Sequence, residues 1–397
     1  MGSPLADLYL NKGADRRLRG GHLWVYSNEV DSKRSALSQF RPGDSVNVVD
    51  AAGRSLGCAY MEPQSLICAR IYSHQSQCPF DGDLIDTHIA RALAAREASF
   101  DQPYYRLVYG DSDLLPGLVI DRFGDYLVMQ LNNSGIERYE NDIVTSLVSQ
   151  LAPSGILLRA DSRARRELKL ADRIEVVHGE VPATVELEEN SVRFLAPLWD
   201  GQKTGWFYDH RMSRARLASY VSGKSVLDVY SYIGGWGIQA AAFGATDVCC
   251  VDSSATALAG VTANAVHNRL DDRVSTRLGS AAETMEAMDA EGSRYDVVIL
   301  DPPAFIQRRK DVKKGIAAYR RINELGLKLL KPGGLLVSGS CSMHLARADL
   351  IQALGSAANR LGCELRVIEQ GAQGPDHPIH PAIPETEYLK AIFARKL

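Results

Sequence analysis

No stretch of the sequence approaches the roughly 20 consecutive apolar residues that a bilayer crossing demands. Residues 1–11 carry neither a basic start nor a long apolar run, so no secretory signal is expected and a reducing cytosol is the default compartment. Cysteine is sparse and odd in number, seven in 397 residues. No pair has CxxC spacing, which argues against a structural zinc site. Cys249 and Cys250 sit in an apolar run, and Cys58 and Cys68 alternate with apolar residues, so these four read as small core hydrophobes. Net positive charge is missing as well. A formal charge of −3 argues against a chain coated for nucleic acid but leaves room for a local patch. Three basic clusters stand out: Arg16, Arg17 and Arg19; Arg163, Arg165, Arg166 and Lys169; Arg308, Arg309, Lys310, Lys313 and Lys314. Singly each reads as a solvated face; together they point to a polyanionic partner.

What is present is a composition 45% apolar and 23% charged, in a chain long enough for two or three domains. Up to residue 73 the pattern is that of a small β-rich module, with strands over 45–50, 55–60 and 66–72. A helix over 83–99 opens a mixed α+β segment, 74–182, with strands at 126–132 and 155–159 around a helix at 137–150. A hairpin, 185–188 with 191–195, leads into a third domain, 183–397. There strands at 225–230, 247–252, 295–301 and 334–338 alternate with helices at 237–243, 255–268 and 317–330, and strands at 363–368 and 388–394 close the chain. Repeated alternation implies an α/β fold with a doubly wound, largely parallel sheet, whose chemistry sits beyond the carboxyl ends of the strands. Those ends are Asp228, Asp252, Asp301 and Ser338.

The string LDVYSYIGGWG at 227–237 is a strand, a glycine-bearing turn through Ser231, Tyr232, Gly234 and Gly235, and a helix start. Such a turn lets a ligand meet the backbone and the helix N-terminus. A dinucleotide site would place glycine where Asp228 stands. A carboxylate there suits a cationic ligand such as the amino acid end of S-adenosylmethionine, and Asp252, followed by Ser253, is placed to accept both hydroxyls of a ribose. Either aspartate alone could equally be a helix cap. The pair favours a ribose-bearing cofactor.

Asp301-Pro302-Pro303-Ala304-Phe305 ends an apolar strand, and its two prolines remove two N–H donors and stiffen the loop where a methyl-accepting base would sit. Cys341 lies between Ser340 and Ser342 just past the next strand, an unusual setting for a core cysteine. Carbon 5 of a pyrimidine is a poor nucleophile. Thiolate addition at carbon 6 makes carbon 5 electron-rich enough to take a methyl, and loss of the carbon-5 proton then expels the thiolate. Asp301 would protonate or hydrogen-bond N3 during the attack. The basic stretch 308–314 follows closely and is expected to grip RNA phosphate.

Five blocks in order resemble the ribosomal RNA large-subunit methyltransferases of the RlmI type: RGGHLWVY at 19–26, GDSDLLPGLVIDR at 110–122, GQKTGWFYDHR at 201–211, the Asp301 loop with Ser340-Cys341-Ser342, and PETEYLK at 384–390. The likeness covers nearly the whole chain. It implies an N-terminal PUA domain that binds RNA, a central domain and a C-terminal Rossmann-like methyltransferase domain. It also implies methylation of carbon 5 of a cytosine in 23S ribosomal RNA with Cys341 as nucleophile, and homodimers. By the same resemblance Lys203, Thr204, Phe207, Asp209 and Arg211 line the cofactor and the cleft, while Pro302, Pro303 and Phe305 meet the RNA. One departure matters: the third strand of such domains usually ends in Gly-Asp, the acid meeting the adenine amine, and here Gly279-Ser280 stands instead. Two rivals stay open, an exocyclic-amine N-methyltransferase using the same Asp-Pro-Pro loop and an RNA-binding scaffold that has lost catalysis.

Overall fold

The computed structural model describes residues 4–397, which form two units. The first runs to Val185 and takes in Pro197–Trp206 and Pro375–Thr386. It holds two five-stranded sheets. In one, Ala6–Tyr9, Ser45–Val49, Ser55–Met61, Ile67–Ser73 and Trp24–Tyr26 lie side by side in that order. The three longer strands are those legible in the sequence. The outer two span only 4 and 3 residues, too short for alternation to show. The other sheet orders Arg173–Gly179, Gly155–Ala160, Tyr126–Leu131, Leu118–Phe123 and Tyr104–Tyr109. One core joins both sheets: Tyr60 and Tyr72 from the first pack with Ile120, Met129 and Ile156 from the second and with Ile85 and Ile89 of helix Gly82–Glu97.

Two of the three basic clusters lie in this unit, where acids pair with most of their cations, while Arg16 and Lys169 are exposed and form no ion pair among the described residues. Arg17 pairs with Glu29 at 2.8 Å, and Arg19 pairs with Asp15 at 2.6 Å and Asp50 at 2.7 Å. Arg163 pairs with Glu167, the buried Arg165 with Glu137, and Arg166 with Asp172. Linear proximity of arginines does not reveal the carboxylates that folding brings beside them.

The second unit comprises Glu186–Ala196, Phe207–Gly374 and Glu387–Leu397. Its sheet strands are β1 (Ser225–Val229), β2 (Asp247–Asp252), β3 (Val274–Leu278), β4 (Tyr295–Leu300), β5 (Leu330–Ser340), β6 (Leu365–Gly371) and β7 (Lys390–Lys396). They order as β3-β2-β1-β4-β5-β7-β6, with the first five parallel and β7 antiparallel to both neighbours. The sheet is doubly wound as expected. The edge strand β3 has mostly polar, exposed residues and so carried no apolar signal.

Helices α1 (Gly237–Ala242), α2 (Ala255–His267), α3 (Ala281–Ala290), α4 (Val312–Leu329) and α5 (Arg347–Arg360) flank the sheet. In α4 the buried positions Gly315, Tyr319, Ile322, Gly326 and Leu329 recur at spacings of three and four, one helical stripe. Gly326 lets the helix close on the sheet, since a Cβ there would lie 2.9 Å from a Leu300 methyl. Because the chain leaves β1 toward β2 on one side and β4 toward β5 on the other, a crevice opens beyond their carboxyl ends. Residues 230–237, Asp301 and Cys341 follow those ends directly.

Candidate active site

Asp228 is fully buried at the end of β1. Its Oδ2 accepts the Gly237 N–H at 2.8 Å, while Oδ1 and the buried Ser231 hydroxyl have no partner among the described residues. Burial pushes the Asp228 carboxyl up to about 7, against the pull of the Gly237 N–H, with Asp301 and Asp252 adding to the rise. An arriving cation would restore its charge and satisfy the orphaned oxygens. The turn that follows is held in an uncommon backbone conformation, with φ of +67° at Tyr230, +49° at Tyr232 and +88° at Gly234. Bulky residues in that region cost about 1–3 kcal/mol each and persist only where the surroundings over-determine them. At Tyr232 those surroundings are Asp252, whose Oδ2 accepts its N–H at 3.0 Å, and Phe207, whose ring meets the Tyr232 ring edge-on at 5.6 Å. Asp252 Oδ1 takes the Ser254 N–H at 2.9 Å. The orphaned acceptors on β1, the glycine turn with buried Gly234 and Gly235, and the carboxylate on β2 fit a ligand with an ammonium group and a ribose.

The remaining cofactor candidates divide. Phe207 joins the turn. Asp209 is buried, its Oδ2 accepting the Tyr388 hydroxyl at 2.7 Å. Arg211 is buried 3.6 Å from Glu189, which also pairs with Arg214 at 2.6 Å, so its charge braces the interior. Thr204 and Lys203 belong to the first unit, where the buried Thr204 hydroxyl donates to Asp121 at 2.6 Å and Lys203 is exposed. Ser253 is exposed beside Asp252. Ser280, also exposed, donates to Glu283 at 2.7 Å, so the acid missing from its position stands one turn away.

Asp301 follows β4, partly exposed, with Oδ1 3.2 Å from His210 Nε2 and Oδ2 accepting the Trp236 indole N–H at 3.0 Å. Burial raises the Asp301 carboxyl, but the His210 imidazolium and the indole N–H outweigh it and hold the group below its ordinary value. Burial likewise lowers His210, and Asp301 beside it wins, so the imidazole is held above its ordinary value. Sequence reasoning passed over His210. The signal available was a histidine between Asp209 and Arg211 in a string otherwise read as cofactor lining. Gly339 makes room for Asp301, because a Cβ there would lie 2.9 Å from Oδ1.

Cys341 is half-buried, unlike the fully enclosed Cys58, Cys68 and Cys250, and its Sγ stands 4.0 Å from the Pro302 carbonyl. A buried network ties this loop to the Asp301 loop. The Tyr319 hydroxyl on α4 meets the Ser340 and Ser342 hydroxyls at 2.8 Å each, and Ser342 accepts the Ile306 N–H at 3.1 Å. Phe305 packs on Tyr319 at 4.8 Å between ring centres, Pro302 is buried and Pro303 exposed. Beyond them Arg308, Arg309, Lys310, Lys313 and Lys314 are all exposed, and none forms an ion pair among the described residues. Two of these cations occupy the first turn of α4, where the helix dipole is already positive.

A doubly wound sheet with a carboxylate at the end of its second strand and a glycine turn after its first fits one class: an S-adenosylmethionine-dependent methyltransferase. Residues 144–394 match the S-adenosylmethionine-dependent methyltransferase family, and residues 8–74 match the PUA-like domain family. In fold, the chain is similar to a solved methyltransferase complexed with SAH, with a TM-score of 0.85 at 20% identity over 98% of this chain and 100% of that one. A solved S-adenosylmethionine-dependent methyltransferase from Streptococcus mutans gives 0.83, also at 20% identity, over 98% and 100%. In sequence, the chain is 37% identical to ribosomal RNA large subunit methyltransferase I of Shewanella denitrificans, over 97% of this chain and 98% of that protein. It is 34% identical to the Vibrio cholerae protein of the same name, over 98% and 99%. The chain belongs to the ribosomal RNA large subunit methyltransferase I family.

Proposed function

We propose that the protein methylates carbon 5 of a cytosine in large-subunit (23S) ribosomal RNA through a transient bond between Cys341 and carbon 6. The observation that carries this reading is a half-exposed cysteine at the carboxyl end of β5, tied by hydrogen bonds to the loop that presents Asp301. Asp228, Ser231, Tyr232, Gly234, Gly235, Asp252 and Phe207 would hold S-adenosylmethionine, which supplies an electrophilic methyl when bound. The Cys341 thiolate adds to carbon 6, and the displaced electron pair moves onto the ring. Once carbon 5 is methylated, its proton leaves to a base, the carbon–sulfur bond breaks and the thiolate returns. Asp301, held ionised by His210 and Trp236, accepts a hydrogen bond from the exocyclic amine, and the proton on His210 is the one this pair can deliver to the ring. The 308–314 cations grip backbone phosphates, the PUA-like module adds RNA surface, and Pro303 and Phe305 border the base. On this reading the protein works where ribosomal RNA is made, the cytoplasm in a bacterial cell, on free RNA or an assembly particle and as a homodimer.

Cys341→Ala, assayed with unmethylated ribosomal RNA and labelled cofactor, is expected to lose methyl transfer by more than about a thousandfold, the scale on which loss of a nucleophile acts. Nucleoside analysis of the wild-type product is expected to give 5-methylcytidine. Undiminished transfer by Cys341→Ala would eliminate the covalent route, and an N-methylated purine as product would establish amine methylation instead.

A further inference from the structure

Lys390 plays no part in the chemistry above, yet it is bound to the loop that carries it. It stands on β7, paired across the antiparallel ladder with Ser340, the residue before the cysteine. Its Nζ donates to the Ser342 carbonyl at 2.8 Å, the residue after the cysteine, and to the Tyr388 carbonyl at 2.9 Å. The Cys341 loop is therefore gripped on both sides, by the ladder and by the ammonium. Lys390 is only 4% exposed, and enclosing an ammonium is costly unless its charge is used. The charged and titratable groups facing it are Arg347 at the start of α5, Glu387 on the approach to β7, and Cys341. Arg347 is itself engaged, with the Gly371 carbonyl at 2.9 Å and Glu387 at 3.8 Å. Burial first, then Arg347, brings the Lys390 amine down to about 8, while Glu387 and Cys341 support its charge.

We propose that Lys390 is a positioning residue for Cys341, its enclosed ammonium fixing the loop through the Ser342 and Tyr388 carbonyls and favouring the sulfur as thiolate. The inference rests on Cys341 being the nucleophile. It gives a job to a charge that a neutral side chain could replace if the ladder alone held β7. The sign follows from the charge. The thiolate is favoured while Lys390 keeps its proton, up to about pH 8, and the advantage fades as Lys390 discharges above that.

The test uses the full-length protein without RNA. Iodoacetamide alkylates thiolates, forming a sulfur–carbon bond and releasing iodide, and peptide mass spectrometry reads the rate at each cysteine across pH. Cys78 and Cys363, both half-buried, serve as internal references. Lys390→Met is expected to slow alkylation of Cys341 at pH 7 by about tenfold and raise its inflection by about one unit, with both references unchanged. Lys390→Arg keeps the charge and should stay within about threefold of wild type. A folded Lys390→Met protein whose Cys341 profile superposes on wild type would overturn the proposal. Should that variant fail to fold, the wild-type profile decides: Cys341 must show a lower inflection than Cys78 and Cys363, and coincident inflections overturn the proposal. Because no RNA enters, this outcome is separate from the nucleophile assignment, which is tested by methyl transfer in Cys341→Ala.

Discussion

His210 and Asp301 illustrate how a pair of side chains can fix each other's protonation. The ion pair exists only while the aspartate has lost its proton and the histidine has kept its own. Asp301 lies below its ordinary 3.8 and His210 above its ordinary 6.5. Their contribution to stability is thus full between those two values. It is lost as pH falls through the folded value of Asp301 and again as pH rises through the folded value of His210. Urea unfolding of wild type at a series of pH values above 6.5 should show this second decline, and His210→Gln should lack it. Equal slopes in the two proteins would mean that the pair is not charged. At this scale the sequence was only partly legible. Asp301 and Cys341 stood out because a carboxylate before two prolines and a cysteine between serines are unusual endings for buried strands. His210 did not, because its meaning comes from a partner 91 residues further along the chain, a distance no local pattern spans. Arg211 and Thr204 lie in a motif associated with the cofactor, and within the fold their polar groups meet Glu189 and Asp121.

Among the elements, α4 and the loop before it carry a charge cluster unlike the other two. The three clusters look alike as strings of arginine and lysine. Folding pairs the first two with Glu29, Asp50, Glu137, Glu167 and Asp172, whereas the five cations of the third form no ion pair among the described residues, although Asp311 lies within the stretch. Replacing Arg308, Arg309, Lys310, Lys313 and Lys314 with glutamine should weaken RNA binding. It should also flatten the plot of log affinity against log salt by about 0.7–0.9 for each phosphate that is no longer neutralised. Filter binding at several salt concentrations measures this, and an unchanged slope would remove the loop from the interface. The alternating strands β1, β2, β4 and β5 were legible because each carries an apolar run with a polar residue at or beside its carboxyl end. Strand β3 and the short N-terminal strands were not, since an exposed edge or a three-residue strand leaves no periodicity to read.

For the whole molecule, a net charge of −3 coexists with a basic loop whose cations form no ion pair among the described residues, so on the proposed function attraction to RNA would be local and orienting. Cofactor binding should be visible as global stability. At about a hundredfold excess over its dissociation constant, S-adenosylhomocysteine should add about 2.7 kcal/mol and raise the melting temperature. Asp252→Ala removes the carboxylate proposed to accept the ribose and the anchor of the strained Tyr232 turn, so most of that shift should disappear. A shift that survives the substitution would place the ribose elsewhere.

The covalent step is tested most directly with RNA carrying 5-fluorocytidine at the target. Fluorine cannot leave carbon 5 as a proton does, so a methylated adduct would be trapped. The expected result is a cofactor-dependent protein–RNA complex that survives denaturation, with the mass of the modified nucleotide on the peptide containing Cys341. Methylated product without any trapped complex, or a complex on another residue, would contradict the covalent mechanism.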